Sequence, residues 1–158
     1  MNEVIEELNE EMKNSLKRAE HSVYVSLKYT RTVDVIKNLI DRYIATLSFG
    51  IDVLAEYLSD KGKIEEKPET LIERINIVQE KLKDETVNEA IEFLLFLRKI
   101  TRTEYGKCEE FRRHVTMIVK VEGKEHNIDI DVLMEYFERM KKYTAYIEKI
   151  VKEIKNED

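Results

Sequence analysis

The chain has 158 residues, of which 42% are hydrophobic and 38% are charged. This balance excludes both a disordered chain and a membrane-embedded one, and the length suits one domain that spans residues 1–158. The formal net charge of −6 excludes a general attraction to nucleic acid or to anionic membranes and leaves only a local basic patch for such a role.

The first predicted element is an amphipathic helix over about residues 3–27. The whole chain contains only four Gly and one Pro, a composition that favours long helices. The apolar residues of this segment are spaced three and four apart, as one face of a helix requires. They are Ile5, Leu8, Met12, Leu16, Ala19, Val23 and Leu27.

A second apolar stripe follows with the same spacing. It consists of Val33, Ile36, Leu39, Ile40, Tyr43, Leu47, Ile51, Leu54 and Leu58. The segment between the stripes, residues 28–32, is a β-branched cluster that weakens a helix without stopping it. The sequence leaves open whether residues 3–59 form one kinked helix or two, and residues 48–50 are a second candidate bend.

Two further helices are expected after Gly62, which suits a left-handed cap. Pro68 is expected in the first turn of one helix, and Asp84 is suited to cap the next, which ends before Gly106. A short turn at residues 109–113 follows. The apolar positions are Leu71, Ile75, Val78 and Leu82 in the first of these helices, and Val87, Ile91, Leu94, Leu97 and Ile100 in the second.

Alternating β-branched residues then predict a small β-hairpin at about residues 115–130, with its turn at residues 122–124. Asp129 or Asp131 is expected to cap the last helix. The stripe of that helix is Leu133, Tyr136, Phe137, Met140, Tyr143, Ile147, Ile150 and Ile154. The predicted fold class is therefore all-α, an up-and-down bundle of about five helices with this hairpin before the last one.

The usual motifs for metal and phosphate chemistry do not occur. None of the three histidines, His21, His114 and His126, has a Glu three residues before it, as a di-iron bundle requires. The acidic N-terminus has a Glu-x-x-Glu pattern like that of all-α nucleotide pyrophosphohydrolases, but the chain has no Glu-x-x-Asp to complete their magnesium site. The four isolated glycines form no phosphate loop. We expect no metal and no cofactor.

Targeting and redox signals point to the cytoplasm. Residues 1–11 are polar and acidic rather than leader-like, and the apolar run at residues 93–97 is too short to span a bilayer, so no membrane partner is expected. The lone Cys108 excludes an intramolecular disulfide and a Cys-rich zinc site. The abundance of Lys and Glu resembles heat-adapted, archaeal proteins.

One segment, residues 98–114, is basic against the acidic background. It holds six Lys or Arg against three Glu, a balance of +3. Arg grips phosphate bidentately and Tyr stacks on bases, so this segment is a candidate ligand surface, with a solvated, self-paired face as the alternative. The candidate ligand-binding residues are Arg98, Arg102, Tyr105, Arg112, Arg113 and His114, and the first three are spaced to share one helical face.

Three earlier residues, Lys28, Tyr29 and Arg31, can join that surface if the first bend faces it.

A basic motif precedes the final amphipathic helix and consists of Arg98-Lys99-Ile100-Thr101-Arg102-Thr103-Glu104-Tyr105 and Arg112-Arg113-His114. With this motif, a helical bundle of this size resembles the HEPN (higher eukaryotes and prokaryotes nucleotide-binding) superfamily.

The resemblance implies a dimeric helical module that binds nucleotide or RNA. Active members are metal-independent ribonucleases in which an Arg is followed four to six residues later by a His. In this sequence His114 follows Arg113 directly, and no Arg of the segment has a His at the required spacing. The resemblance therefore implies a non-catalytic binder rather than a nuclease, and no catalytic residue is predicted.

Two other functions stay open. Long outer stripes at residues 3–27 and 133–154 fit a structural protein that dimerises or binds a protein partner through its helices, without nucleic acid. The second open function is a metal-independent ribonuclease that uses His114 in a divergent geometry. The three hypotheses differ in whether the protein binds, assembles or cleaves.

Overall fold

The structure is a computed structural model that describes the backbone of residues 2–157 and the side chains of residues 2–152. Five helices and one small sheet make up the described chain. The helices are α1 (Glu3–His21), α2 (Val33–Asp60), α3 (Leu71–Leu82), α4 (Glu85–Arg102) and α5 (Ile130–Glu157). The strands are β1 (Tyr105–Cys108), β2 (Thr116–Val121) and β3 (Lys124–Ile128). The mostly helical bundle predicted from the sequence is confirmed.

The first two apolar stripes belong to two helices rather than one. α1 continues through a π-helical segment, Ser22–Ser26, and a last α-helical turn, Leu27–Tyr29. The chain is then extended at Thr30 and Thr32, and the Thr32 side chain caps α2 by accepting the N–H of Val35. The break therefore lies inside the β-branched cluster, at residues 30–32, which we call the first bend.

The second candidate bend, at residues 48–50, does not exist, because α2 runs unbroken through it. Gly50 serves a packing role instead. A Cβ at this position would lie 2.8 Å from Cδ1 of Ile147 on α5 and 3.4 Å from the sulfur of Met12 on α1. Glycine is thus the residue that lets three helices approach one another closely.

α2 is the central helix of the bundle. It packs against α1, α3, α4, α5 and strand β2. Every apolar residue predicted for its stripe is buried. Its Tyr43 donates a hydrogen bond of 2.9 Å to the carbonyl oxygen of Leu133 on α5, and burial raises the pKa of this phenol well above its ordinary value. Ile154, predicted for the stripe of α5, lies outside the described side chains.

Most helix ends follow the predicted signals, with one correction. Gly62 adopts a left-handed conformation (φ +72°) after α2, as predicted. Asp84 caps α4 by accepting the N–H of Val87 at 2.9 Å. Pro68 was expected in the first turn of α3, but the helix begins at Leu71 with Thr70 as its cap, because the Thr70 hydroxyl accepts the N–H of Glu73.

The predicted hairpin is present as β2 and β3, and a third strand extends it. β1 pairs antiparallel with β2, so the sheet has the order β1-β2-β3. The side chains of Val115, Met117, Val119 and Val121 are buried against the helices, as their alternation predicted. β1 is short and almost wholly exposed, so it carries no apolar alternation that could have revealed it.

Between the two predicted caps of α5, the structure selects Asp129. Its carboxylate accepts the N–H of Val132 at 2.9 Å, and its carbonyl accepts the N–H of Leu133. Asp131 lies in the first turn of α5, where a negative charge is favourable. In the described part of the chain, no helix combines the length and the apolar character that a membrane span needs.

Candidate functional site

The first bend and the loop after β1 are fastened together. The N–H of Phe111 donates to the carbonyl oxygen of Arg31 at 2.6 Å, and the carboxylate of Glu110 accepts the N–H of Val33 at 3.1 Å. We call residues 109–114 the basic loop because they end the basic segment 98–114, although within the loop two Arg are balanced by two Glu. Because its main chain is held at the start of α2, the first bend faces the basic segment, which the sequence had left as a condition.

A cavity of about 280 Å³ lies where these two segments meet the start of α5. We call it the bend cavity. Its lining residues are Val23, Tyr24, Leu27, Lys28, Arg31, Arg113, His114, Asp129, Ile130 and Asp131. Lys28 and Arg31 thus join Arg113 and His114 in this lining, whereas Tyr29, the next residue after Lys28, does not belong to it.

A π-helical segment forms one wall of the bend cavity. The N–H of Leu27 donates to the carbonyl of Ser22, five residues earlier, which is the hydrogen bond that defines this geometry. Val23 and Tyr24, both within the segment, line the cavity. π-Helical turns are rare and occur frequently at functional sites, so this wall is a second, independent mark of a binding site.

Cations outnumber carboxylates by three to two in the lining of the bend cavity. Lys28, Arg31 and Arg113 supply three permanent cations, against the carboxylates of Asp129 and Asp131. None of the three cations forms an ion pair with another described residue. The carboxylate of Asp129 is already engaged with the N–H of Val132.

Arg31, which lines the bend cavity, also carries an unpaired buried donor. Its Nε is buried and has no hydrogen-bond partner among the described residues. Buried N–H donors in proteins are nearly always paired, and leaving one unpaired costs about 1–3 kcal/mol. Nη1 of Arg98, outside the cavity, is unpaired in the same way, so the unpaired nitrogen does not by itself mark a ligand site.

The candidate residues at the start of the basic segment lie elsewhere. Arg98, Arg102 and Tyr105 were expected on one helical face, but α4 ends at Arg102 and Tyr105 belongs to β1. Arg102 is exposed at the helix end, while Arg98 is half-buried with a buried Nη1 that lacks a partner within the described structure. None of the three lines the bend cavity.

Tyr105 has a structural task. Its hydroxyl donates to the carboxylate of Asp34 at 3.0 Å, and Lys107 lies 3.8 Å from the same carboxylate. The hydrogen bond to Asp34 raises the pKa of the Tyr105 phenol, with burial and the charge of Asp34 adding to the effect. Tyr105 therefore attaches β1 to the first turn of α2.

The remaining candidates are the three consecutive residues at the end of the basic loop. Arg112, Arg113 and His114 are all exposed, and the last two line the bend cavity. Arg112 lies beside them, and its carbonyl accepts the N–H of Val115 at 3.1 Å, where the chain enters β2. The part of the predicted site that the structure brings together is thus its C-terminal end.

Sequence reasoning missed Tyr24 and the acidic residue Asp131 as parts of this site. A regular α-helix over residues 3–27 gave no reason to single out Tyr24, and no sequence signal announces a π-helical segment. Asp131 was weighed only as a helix cap. Phe111, an apolar residue inside the charged run Glu-Glu-Phe-Arg-Arg, did offer a signal, because a large apolar side chain in a charged turn is unusual.

No metal centre is visible in the described part of the structure. Within it, no three His, Cys, Asp or Glu side chains are grouped so that they could hold a metal ion. Comparison with known proteins adds no relative: no family model matches the chain, and no similar curated protein or solved structure was found. The function must therefore be inferred from the bend cavity itself.

Proposed function

We propose that the protein binds a nucleotide or RNA in the bend cavity, through its phosphate, without catalysing a reaction on it. The observation that carries this proposal is the convergence of Lys28, Arg31 and Arg113 on one cavity from two segments far apart in sequence. Guanidinium groups bind phosphate oxygens bidentately, and each charge-assisted contact contributes about 1.5–3 kcal/mol. The site fits the non-catalytic, HEPN-like binding module that the sequence resembles.

The size of the bend cavity limits what it can hold. At about 280 Å³ it lies just below the ~300–1,000 Å³ typical of small-molecule sites. One phosphate with its sugar, or one nucleotide, matches this volume better than an extended metabolite. Tyr24 on the wall offers an aromatic surface beside the cations.

The proposal is tested by calorimetric titration of UMP and ADP into the protein at low salt. The double variant Arg31→Ala with Arg113→Ala is expected to weaken binding at least about tenfold, the loss of one or more charge-assisted contacts. Arg42→Ala, an exposed residue of α2 outside the cavity lining, is the matched control and should bind like the wild type. Absence of nucleotide binding by the wild type would refute the proposal.

A second variant pair separates the bend cavity from the original sequence prediction. Arg98→Ala with Arg102→Ala should leave nucleotide affinity unchanged, because neither residue lines the cavity. If this pair weakened binding while Arg31→Ala with Arg113→Ala did not, the site would lie at the end of α4 instead.

RNA cleavage is the second candidate function, and one observation favours it. His114 lines the bend cavity together with the three cations and Asp131, so an imidazole and a carboxylate lie near the proposed phosphate. Incubation with a labelled RNA, without added metal, tests this candidate. Cleavage by the wild type that is lost in His114→Ala would establish a ribonuclease, whereas an intact RNA would favour the non-catalytic proposal.

Dimerisation is a separate proposal that the nucleotide experiments do not address. Its support is the sequence resemblance and the long amphipathic helices α1 and α5. Sedimentation velocity over a range of protein concentrations tests it. A monomer at every concentration would remove both the expected homodimer and the purely structural role.

A further inference from the structure

Two aromatic side chains stand out on the surface beside the bend cavity. Phe111 is 77% exposed and Tyr29 is 76% exposed, well above the other exposed large hydrophobic residues of the described chain, of which the next is Tyr24 at 51%. Single exposed apolar residues are ordinary. Two such rings on the segments that form the bend cavity, in addition to Tyr24 in its lining, call for an explanation of their own.

The backbone places Tyr29 and Phe111 close to Arg31. The N–H of Phe111 donates to the carbonyl of Arg31, and Tyr29 precedes Arg31 by two residues. Arg31 itself lines the bend cavity. Tyr29 ends the helical turn before the first bend and Phe111 lies in the basic loop, so both belong to segments that meet at Arg31, a residue that lines the proposed phosphate site.

The basic loop holds Phe111 in an unfavourable conformation. Its φ of +66° lies in the left-handed region, which bulky residues rarely adopt, and Glu109 in the same loop has a φ of +53°. Strained backbone of this kind is concentrated at functional sites, where surrounding contacts maintain it. Here the contacts are the Arg31 carbonyl and the Glu110 carboxylate, and the result is a ring that projects into solvent.

Exposed aromatic rings beside cations suit one kind of ligand in particular. Unpaired nucleobases stack on aromatic side chains while lysines and arginines contact the phosphate chain. Bases in a duplex are already stacked on each other and cannot do so. A protein with a net charge of −6 also gains little from charge alone, so stacking has to supply a substantial share of the affinity.

We propose that the ligand is a single-stranded nucleic acid, with unpaired bases stacked on Tyr29 and Phe111 and one phosphate in the bend cavity. This inference rests on the proposed function and specifies its ligand. It predicts that a single-stranded oligonucleotide binds more tightly than a mononucleotide, because the mononucleotide fills the cavity without reaching either ring.

Fluorescence anisotropy with labelled octauridylate and octathymidylate tests the inference. Tyr29→Ala and Phe111→Ala are each expected to weaken binding of the octanucleotides about tenfold, the effect of losing one stacked base. Phe111→Asn removes the ring while keeping a residue that tolerates the left-handed backbone, so it guards against a folding artefact. Tyr29→Phe retains the ring and should bind like the wild type.

The controls use other ligands and a distant residue. Ile72→Ala removes an exposed apolar side chain of α3 and should leave every affinity unchanged. UMP should bind equally to wild type and to the Tyr29 and Phe111 variants. A duplex of the same length should bind at least about tenfold more weakly than the single strand, because its bases are not free to stack. Polyglutamate should not displace the octanucleotide.

Each contrary result has a definite meaning. Octanucleotide affinities that are unchanged in Tyr29→Ala, Phe111→Ala and Phe111→Asn would overturn the stacking inference, as would equal binding of the duplex or displacement by polyglutamate. The proposed function would still stand if Arg31→Ala with Arg113→Ala abolished UMP binding. If neither a mononucleotide nor an octanucleotide bound, both the stacking inference and the proposed function would be overturned.

Discussion

The main-chain N–H of Phe111 lies 2.6 Å from the carbonyl oxygen of Arg31, and this hydrogen bond joins the basic loop to the first bend. Both segments lack regular secondary structure, so neither could hold a fixed position alone. The Glu110 carboxylate reinforces the attachment at Val33. The cations of the bend cavity are thus placed relative to one another by contacts between main chains and one side chain, rather than by a shared helix or strand.

Glu110 is expected to stabilise the fold and the site together. Glu110→Ala removes the acceptor for the N–H of Val33 at the start of α2, a loss comparable to removing a helix cap, about 1 kcal/mol. The basic loop would also lose one of its two attachments, so nucleotide affinity should fall several-fold. Urea unfolding and calorimetric titration measure the two effects.

Glu110→Gln is the matched control for this prediction. Its amide oxygen can still accept the Val33 N–H, so stability should stay closer to that of the wild type than in Glu110→Ala. If both variants unfolded at the same urea concentration as the wild type, the contact between Glu110 and α2 would contribute nothing to stability, and its role in placing the loop would be wrong.

The helices could be predicted from the sequence because burial imposes a regular spacing on their apolar residues. The stripe from Val33 to Leu58 is buried throughout, and Asp84 caps α4 as its position indicated. β1 could not be predicted, because an exposed four-residue strand has no alternating apolar face. Its presence ends α4 at Arg102 and moves Tyr105 off the predicted helical face.

The sequence indicated several residues of the candidate site but not that they would meet. The basic composition of residues 98–114 indicated Arg113 and His114, and the β-branched segment at residues 28–32 indicated Lys28 and Arg31. Their meeting depends on tertiary contacts such as that between Phe111 and Arg31, which no local pattern encodes. The π-helical turn at Tyr24 also depends on packing, since its residues differ in no obvious way from those of an ordinary helix.

Gly50 offers a test of how tightly the bundle is packed. Gly50→Ala gains about 1 kcal/mol of helix propensity but brings a methyl group to 2.8 Å from Cδ1 of Ile147, and overpacking costs about 1–3 kcal/mol. Ile147→Val removes that Cδ1 at a cost of about 1 kcal/mol. We expect the double variant to be about 1 kcal/mol more stable than the sum of the single effects predicts.

Urea unfolding of the wild type, both single variants and the double variant gives this coupling energy directly. Gly106→Ala is the control, because its Cβ would meet Ile118 at an ordinary 3.7 Å. Additive effects of Gly50→Ala and Ile147→Val would mean that α2 and α5 move apart readily, contrary to the close approach at Gly50.

Glu148 on α5 should make the stability of the bundle depend on pH. Burial raises the pKa of its carboxyl, but the hydrogen bonds from Asn9 (3.0 Å) and Lys152 (3.1 Å), together with the charge of Lys13, outweigh this and leave the pKa below its ordinary value of 4.5. A depressed pKa stabilises the fold at pH values above the unfolded-state pKa. This contribution is lost as the pH falls through the folded-state value.

Glu148→Gln isolates that contribution. The variant should be less stable than the wild type by about 0.5 kcal/mol at pH 7, as for a partly exposed ion pair. The difference should disappear at pH values well below 4.5, where the wild-type carboxyl is protonated as well. Urea unfolding at both pH values measures it. An equal difference at both would point to packing rather than charge.

The salt dependence of binding should count the phosphates that the bend cavity neutralises. One phosphate of a single strand held by Lys28, Arg31 and Arg113 releases about 0.7 counterion, so the logarithm of the affinity should fall with the logarithm of salt with a slope of about −0.7. Arg31→Ala with Arg113→Ala should bring the slope towards zero, because both guanidinium groups of the site are lost. Arg42→Ala, outside the cavity lining, should leave it near −0.7.

Anisotropy titrations of octauridylate at several salt concentrations measure these slopes. A slope that Arg31→Ala with Arg113→Ala does not change would show that these guanidinium groups neutralise no phosphate, even if the affinity falls. Tyr29→Ala and Phe111→Ala should lower the affinity at every salt concentration without changing the slope, because stacking releases no counterions. The slope and the affinity thus report separately on the cations that contact phosphate and on the rings that contact bases.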